Sequence, residues 1–234
     1  MEHRIPVAPG VELWAEERGD PATSPLLLVM GANASGLTWP EALVDRLAQR
    51  HRVVRYDHRD TGRSTRAYAV APYAVRDLAT DAVRLLDGLG IDRAHVVGMS
   101  MGGTLVQLLL LDSPDRLRSA TVLATSALGS GLADIAGDGD LPGPAPHVLA
   151  YWASMGEDPV NPPPHAAHLA AVIGSARLVA IPGMGHALPA AVVAPLADAI
   201  AAHTAAVDAV HRGDDEQRGV GRAQPGPQLA DEVR

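Results

Sequence analysis

Ala94-His95-Val96-Val97-Gly98-Met99-Ser100-Met101-Gly102-Gly103-Thr104-Leu105 is the stretch on which the fold turns. Residues 94–97 are short, partly β-branched and stop at a glycine, which predicts a strand. Residues 104–111 are strongly apolar and predict a buried helix. Between them lies G-x-S-x-G, from Gly98 to Gly102. A serine at the apex of a tight strand–turn–helix is lifted above the sheet, with the helix opening directly beneath it. Such a turn is strained and needs small neighbours, which Gly98, Gly102 and Gly103 supply. The helix N-terminus favours negative charge developing at that point. Ser100 is therefore the candidate nucleophile. The plainer reading is a glycine-rich turn in a doubly wound sheet.

The flanking sequence repeats the alternation. Residues 11–16 predict a strand closed by Gly19-Asp20-Pro21. Residues 26–30 form a continuous apolar run before Gly31, as a strand buried on both faces does. Residues 40–49 suit a short helix, and 52–56 a strand that stops at Asp57. Val75, Leu78, Ala79, Ala82, Leu85, Leu86 and Leu89 recur at helical spacing, with Gly90 as the stop signal. Residues 120–124 and 177–181 predict further strands, and 188 to about 207 a long Ala-rich helix. Strands alternating with helices, the middle strands apolar throughout, predict a doubly wound, mostly parallel α/β sheet covered on both faces. One domain is expected over 1–210. Residues 211–234 are polar, lack apolar periodicity and predict a disordered tail.

Composition bounds the function. The chain has 234 residues, 47% hydrophobic and 20% charged, which is globular composition. Its formal net charge of -8 argues against nucleic acid as a partner, because phosphate binding needs a basic face. With no cysteine, disulfides, thiolate metal sites and a cysteine nucleophile are excluded. The N-terminus shows no apolar leader, and the apolar runs 26–30 and 108–111 are too short to span a bilayer. A soluble cytoplasmic protein without a membrane partner is expected.

A serine hydroxyl needs a base to become a nucleophile. His186 follows a predicted strand in Pro182-Gly183-Met184-Gly185-His186 and precedes a helix, on the edge where open α/β sheets carry their sites. His95 lies within a strand and reads as structural. His51, His203 and His211 read as exposed. His165 and His168, three apart, could share a helical face as two metal ligands, but no third ligand is evident. The third triad member should be a carboxylate between Ser and His. Asp134, Asp138, Asp140, Glu157 and Asp158 are the candidates. Asp158, in the loop before Pro159, is favoured, and Glu157 is its nearest rival. The oxyanion hole needs two backbone N–H groups. Met101, directly after the serine, should give one. The loop after residues 26–30 should give the other, at Ala32, with the Asn33 side chain as the less favoured donor.

These stretches resemble a known family. Residues 26–33, 55–65, 94–102 and 181–189 are similar to those of α/β-hydrolases, and in particular of the aclacinomycin methylesterases of anthracycline biosynthesis. The 57–64 run is an extended form of the D-x-R-G-x-G-x-S stretch found across that fold. The resemblance covers most of residues 1–125 and about 157–207. It implies Ser100 as nucleophile, His186 as general base, Asp158 as the acid, and Ala32 and Met101 as oxyanion donors. The implied activity is a serine esterase acting on a small-molecule carboxylic ester, which needs no metal or organic cofactor. The same residues could also serve perhydrolysis, thioester cleavage or carbon–carbon bond hydrolysis, or persist in a non-catalytic homologue. Against the family pattern, the helical lid is reduced to residues 126–146. A shortened lid should leave apolar surface above the sheet, at Met99, Met101 and Leu128, so self-association is expected.

Overall fold

The computed structural model describes residues 1–128 and 163–220. Six strands form one sheet in the order β1-β2-β4-β3-β5-β6. They are β1 (Glu2–Ala8), β2 (Val11–Arg18), β3 (Pro25–Val29), β4 (Arg52–Tyr56), β5 (Ala94–Met99) and β6 (Leu117–Leu123). β3 pairs in parallel with β4 and β5, and β5 with β6. β1 and β2 join antiparallel at one edge. The helices are α1 (Glu41–Ala48), α2 (Val75–Gly88), α3 (Met101–Asp112), α4 (Pro163–Val172) and α5 (Ala190–Val220).

The two-residue period of a strand divides the core into two layers. Leu27, Val29, Val54, Tyr56 and Val96 face α2 and α3, where Leu78, Leu85, Leu105 and Val106 are buried with them. Leu26, Leu28, Val53, Val97 and Met99 face the other way, toward Leu43 and Leu47 of α1 and Val193, Leu196 and Ile200 of α5. Both faces of β3 are therefore dry, which is why its sequence is apolar without alternation. The doubly wound, mostly parallel sheet expected from the sequence is present.

Several local expectations are corrected. β1 was not assigned from the sequence: only Ile5 and Val7 mark its buried face, while Arg4 and Pro6 stand at its exposed positions. It exists as the outer half of a hairpin with β2, turned at Gly10 with φ 71°. Residues 177–181 are not a strand. Among the described residues nothing pairs with them, and Leu178 and Val179 are about half exposed, at 51% and 47%. An apolar pentapeptide has strand propensity, but only a neighbouring ladder makes it a strand. α5 runs to Val220, past residue 210, where the sequence places the end of the domain. Residues 221–234 lie outside the described residues, as does 129–146 of the expected lid remnant. Met99 is buried in the α1–α5 layer and is no part of an exposed apolar patch; Leu128 is exposed.

α5 is also long and apolar enough over Ala190–Val210 to cross a membrane by length and composition, which the count of consecutive apolar residues did not show. Its packing accounts for that composition. One face fills the core through Val192, Leu196, Ala197 and Ile200. Farther along α5, Asp208 accepts hydrogen bonds from Ser24 Oγ at 2.7 Å and Arg118 Nη1 at 2.7 Å, and lies 3.1 Å from His95 Nε2. His95 Nδ1 meets Ser119 Oγ at 2.8 Å. His51, expected at the surface, is buried: its ring nitrogens lie 3.2 Å from the Ser24 carbonyl and 3.0 Å from Thr204 Oγ1. This polar cluster fastens α5 to the starting ends of β3, β5 and β6.

Burial pushes the His95 imidazole down to about 4, against the pull of Asp208. Its pKa in the folded chain is thus below the unfolded value. The stability it contributes is complete above about pH 6.5 and is lost as pH falls toward about 4, where the unfolded chain binds a proton that the folded chain refuses. The urea midpoint is expected to drop between about pH 7.5 and about pH 5. His95→Gln should lower the midpoint at the higher pH and flatten that drop. An unchanged slope would place the acid sensitivity elsewhere.

Candidate active site

Ser100 stands between β5 and α3 with φ 56° and ψ -123°. That left-handed φ is costly for a residue with a Cβ, so the surroundings must hold it. Three things do. The Ser100 N–H donates to the Leu123 carbonyl at the end of β6, at 2.9 Å. Its own carbonyl accepts from the N–H groups of Gly103 and Thr104, at 2.8 and 3.2 Å, which starts α3. The third is close backbone contact, possible only because the neighbours are glycines. A Cβ on Gly98 would come within 2.2 Å of the Gly102 carbonyl oxygen. A Cβ on Gly102 would come within 2.1 Å of the Val29 carbonyl oxygen. The Gly98–Gly102 pattern read in the sequence is thus a steric requirement of the turn, and the strand–turn–helix setting is present.

His186 arrives from the far side of the chain and places Nε2 3.1 Å from Ser100 Oγ. The two side chains are half-buried, so the pair is reachable from solvent without being fully hydrated. His186 lies in an irregular segment after Gly183, which has φ 79°, and shortly before α5 begins. It needs no preceding strand to reach the serine. The start of α5, which follows it in the chain, is anchored in the core by Val192 and Val193.

The loop after β3 passes beside the same serine. Gly31 is buried, and a Cβ there would lie 3.1 Å from Ser100 Cβ and 3.6 Å from Ser100 Oγ. The next residue, Ala32, is exposed, and Asn33 takes φ 56°. Among the described residues the Ala32 N–H makes no backbone hydrogen bond. Met101 opens α3, and an N–H at the first helical position has no intrahelical acceptor. Both N–H groups expected at the oxyanion hole thus belong to segments that flank Ser100. Asp158, Glu157, Asp134, Asp138 and Asp140 lie outside the described residues. His165 and His168 sit on α4, and among the described residues no three His, Cys, Asp or Glu side chains gather as a metal site would require.

Three supporting residues were given no role from the sequence, although Asp57 and His58 lie in the 57–64 stretch. Buried Gln107 of α3 donates to the carbonyls of Gly103 and Ser126, at 3.2 and 2.9 Å, and accepts from the Leu128 N–H at 3.0 Å. It ties the segment leaving β6 to the helix beneath the serine. A polar residue inside an apolar helix was the available signal. Fully buried Asp57, directly after β4, accepts from Ser35 Oγ, the Gly36 N–H and the Arg63 N–H at 2.5, 2.8 and 2.6 Å. Its neighbour His58, also buried, meets the Met30 carbonyl through Nε2 at 2.9 Å.

A family model described as alpha/beta hydrolase fold matches residues 24–145, and the chain belongs to the α/β-hydrolase family. Over 84% of its length it is 38% identical to rhodomycin D methylesterase DnrP of Streptomyces peucetius, with 96% of that protein covered. It is equally 38% identical to rhodomycin D methylesterase DauP of Streptomyces sp. (strain C5), over 88% of this chain and 99% of that protein. Among solved structures, a hydrolase from Pseudomonas aeruginosa PA01 superposes with a TM-score of 0.52 at 30% identity, covering 57% of this chain and 49% of that one. Est816, described as an N-acyl homoserine lactone degrading enzyme, gives 0.51 at 28% identity, over 63% and 51%. The chain thus spans about half the length of the solved structures it matches. The alignment with DnrP runs to 290 positions, more than the 234 residues of this chain, so that relative carries residues with no counterpart here.

The glycine contacts at the turn make a direct expectation. Gly102→Ala must move backbone, not a flexible side chain, to accept its methyl group. Esterase activity should fall by at least about a hundredfold, because a displacement of about 1 Å at a reacting group costs that much. Thermal melting should drop as well. Activity within a few-fold of the parent would show that the turn has slack.

Proposed function

We propose that this protein is a serine esterase that cleaves a carboxylic ester of a small molecule through an acyl-enzyme on Ser100. The observation that carries the proposal is the 3.1 Å approach of His186 Nε2 to Ser100 Oγ on a strained turn. A nucleophile within hydrogen-bond reach of a base, on a turn that aims both at solvent, is the arrangement acyl transfer needs. His186 takes the serine proton as Oγ attacks the ester carbonyl, and returns it to the leaving alcohol. The N–H groups of Ala32 and Met101 receive the developing oxyanion. Water then attacks the acyl-enzyme, with His186 again as base. Asp158 serves as the acid that orients His186, in keeping with the resemblance of its surroundings to the methylesterases.

The substrate class follows from the relatives. Two proteins aligned over nearly their whole length are named rhodomycin D methylesterases. Their likeness supports a methyl ester on a polyketide-like molecule, with methanol as the leaving alcohol. With the lid reduced to residues 126–146, as read from the sequence, we infer fewer walls around the serine than in a relative that carries more residues. Less substrate surface is then available to convert into transition-state binding.

Ser100→Ala should lower kcat by at least about a thousandfold with an unchanged melting temperature, since triad members act as a unit and the serine buries little. His186→Ala should be nearly as severe. A fluorophosphonate should add to the parent protein at Ser100, read by intact mass and peptide mapping, and to neither variant. Turnover near the parental rate in Ser100→Ala would end the proposal.

Asp158→Asn should cost more than Glu157→Gln in kcat, because a mis-set histidine tautomer slows both proton transfers. The reverse order would make Glu157 the acid. In the same assay, kcat/KM for a large aromatic methyl ester should exceed that for a short aryl acetate only modestly. A preference of several hundredfold with a micromolar KM would mean that the missing walls are supplied by another part of the protein or by a second copy.

A further inference from the structure

Residues 31–34 carry the proposed oxyanion donor, yet among the described residues no backbone hydrogen bond ties them to a strand or helix. Their path depends on what holds the two ends of the loop. Both ends are held by consecutive residues leaving β4. At the far end, Asp57 grips Ser35 and Gly36. At the near end, His58 Nε2 lies 2.9 Å from the Met30 carbonyl oxygen. That carbonyl also faces the elbow: a Cβ on Gly102 would lie 2.8 Å from it. His58 therefore meets the chain at the one peptide shared by the oxyanion loop and the nucleophile turn.

The chemistry at this contact is directional. Met30 offers only an acceptor, so Nε2 must carry the proton. Nδ1 is buried and has no partner among the described residues. The opposite tautomer would leave an unsatisfied N–H at Nδ1 and set a lone pair against a carbonyl. The Tyr56 ring meets the imidazole edge-on, with centroids 5.0 Å apart, and fixes its plane. Burial holds the imidazole below its ordinary pKa.

We propose that His58 is a positioning residue for the reaction: the Nε2–H donated to Met30 sets the course of residues 31–34 and so aims the Ala32 N–H at the oxyanion formed on Ser100. The proposal rests on Ser100 being the nucleophile, and the test separates the two. Fluorophosphonate labelling of the parent protein at Ser100 comes first. The variants His58→Gln, His58→Asn and His58→Leu are then compared, each corrected for its titrated active sites. Gln can place an amide N–H where Nε2 stands; Asn and Leu cannot. For His58→Leu and His58→Asn, kcat should fall by roughly a hundredfold, the scale of losing one oxyanion donor, with KM within about threefold. A trifluoromethyl ketone, which mimics the tetrahedral intermediate, should lose affinity in parallel with kcat. His58→Gln should recover to within about tenfold of the parent. In the parent protein, 15N chemical shifts should place the His58 proton on Nε2, a readout that needs no variant to fold. A proton on Nδ1, or His58→Asn as active as His58→Gln, or His58→Leu with parental kcat, overturns the proposal while leaving Ser100 as nucleophile. Failure of the parent to label at Ser100 overturns both.

Discussion

The 2.1 Å that would separate a Cβ on Gly102 from the Val29 carbonyl oxygen is the constraint around which this molecule is arranged. It means that the first turn of α3 sits directly on the end of β3. Nothing but hydrogen fits between them. With helix and strand that close, Ser100 is forced into its left-handed conformation, and the loop leaving β3 has to pass beside the serine. Ser100 and the loop after β3 are thus neighbours because two backbones touch, before any side chain is considered. The strain at Ser100 is sustained by the hydrogen bonds that start α3 and by the one to Leu123. Removing the glycines would relax the strain and disperse the site together.

The sheet carries this arrangement because it is buried on both faces. β3 and β5 have no solvated side, so their ends cannot drift without opening one of two apolar layers. Most polar groups buried in such a body are paired, and here several of them act as fasteners. At the starting ends of the strands, Asp208, His95, His51 and Arg118 hold α5. At the finishing ends, Asp57 and His58 hold the loop after β3, and Gln107 holds the segment after β6. Arg59 and Asp81, both buried, tie the turn after β4 to α2 through an Nε to Oδ2 contact of 2.6 Å. The stretch from Asp57 to Ser64 thus forms a clasp around the rear of the site, although none of its side chains meets Ser100 in the contacts described above.

α5 joins the two ends of the molecule. It follows directly on the irregular segment that carries His186, and Asp208 within it joins the polar cluster at the starting ends of the strands. The chain spans about half the length of the solved structures it matches and has fewer residues than its alignment with DnrP has positions. Even so, Ser100 and His186 are both described residues, and they meet at 3.1 Å.

Much of this was readable in one dimension. The glycine spacing around Ser100, the apolar runs of β3 and β5 and the order of serine and histidine are local signals. Steric need and burial act there on residues close in sequence, so they mark the sequence directly. The fold class, Ser100 and His186 followed from them. What tertiary structure alone decided are matters of pairing. Residues 177–181 have the composition of a strand but pair with nothing among the described residues, whereas β1, with a proline and an arginine inside it, became a strand because β2 offered its edge. His51 looked like a surface residue and is buried, because Thr204 and Ser24 give both ring nitrogens a partner. His58 gave no signal of its own, since its importance depends on a carbonyl 28 residues earlier in the chain. A hydrogen-bond partner distant in sequence leaves no periodicity and no composition to read; only folding brings it within 3 Å.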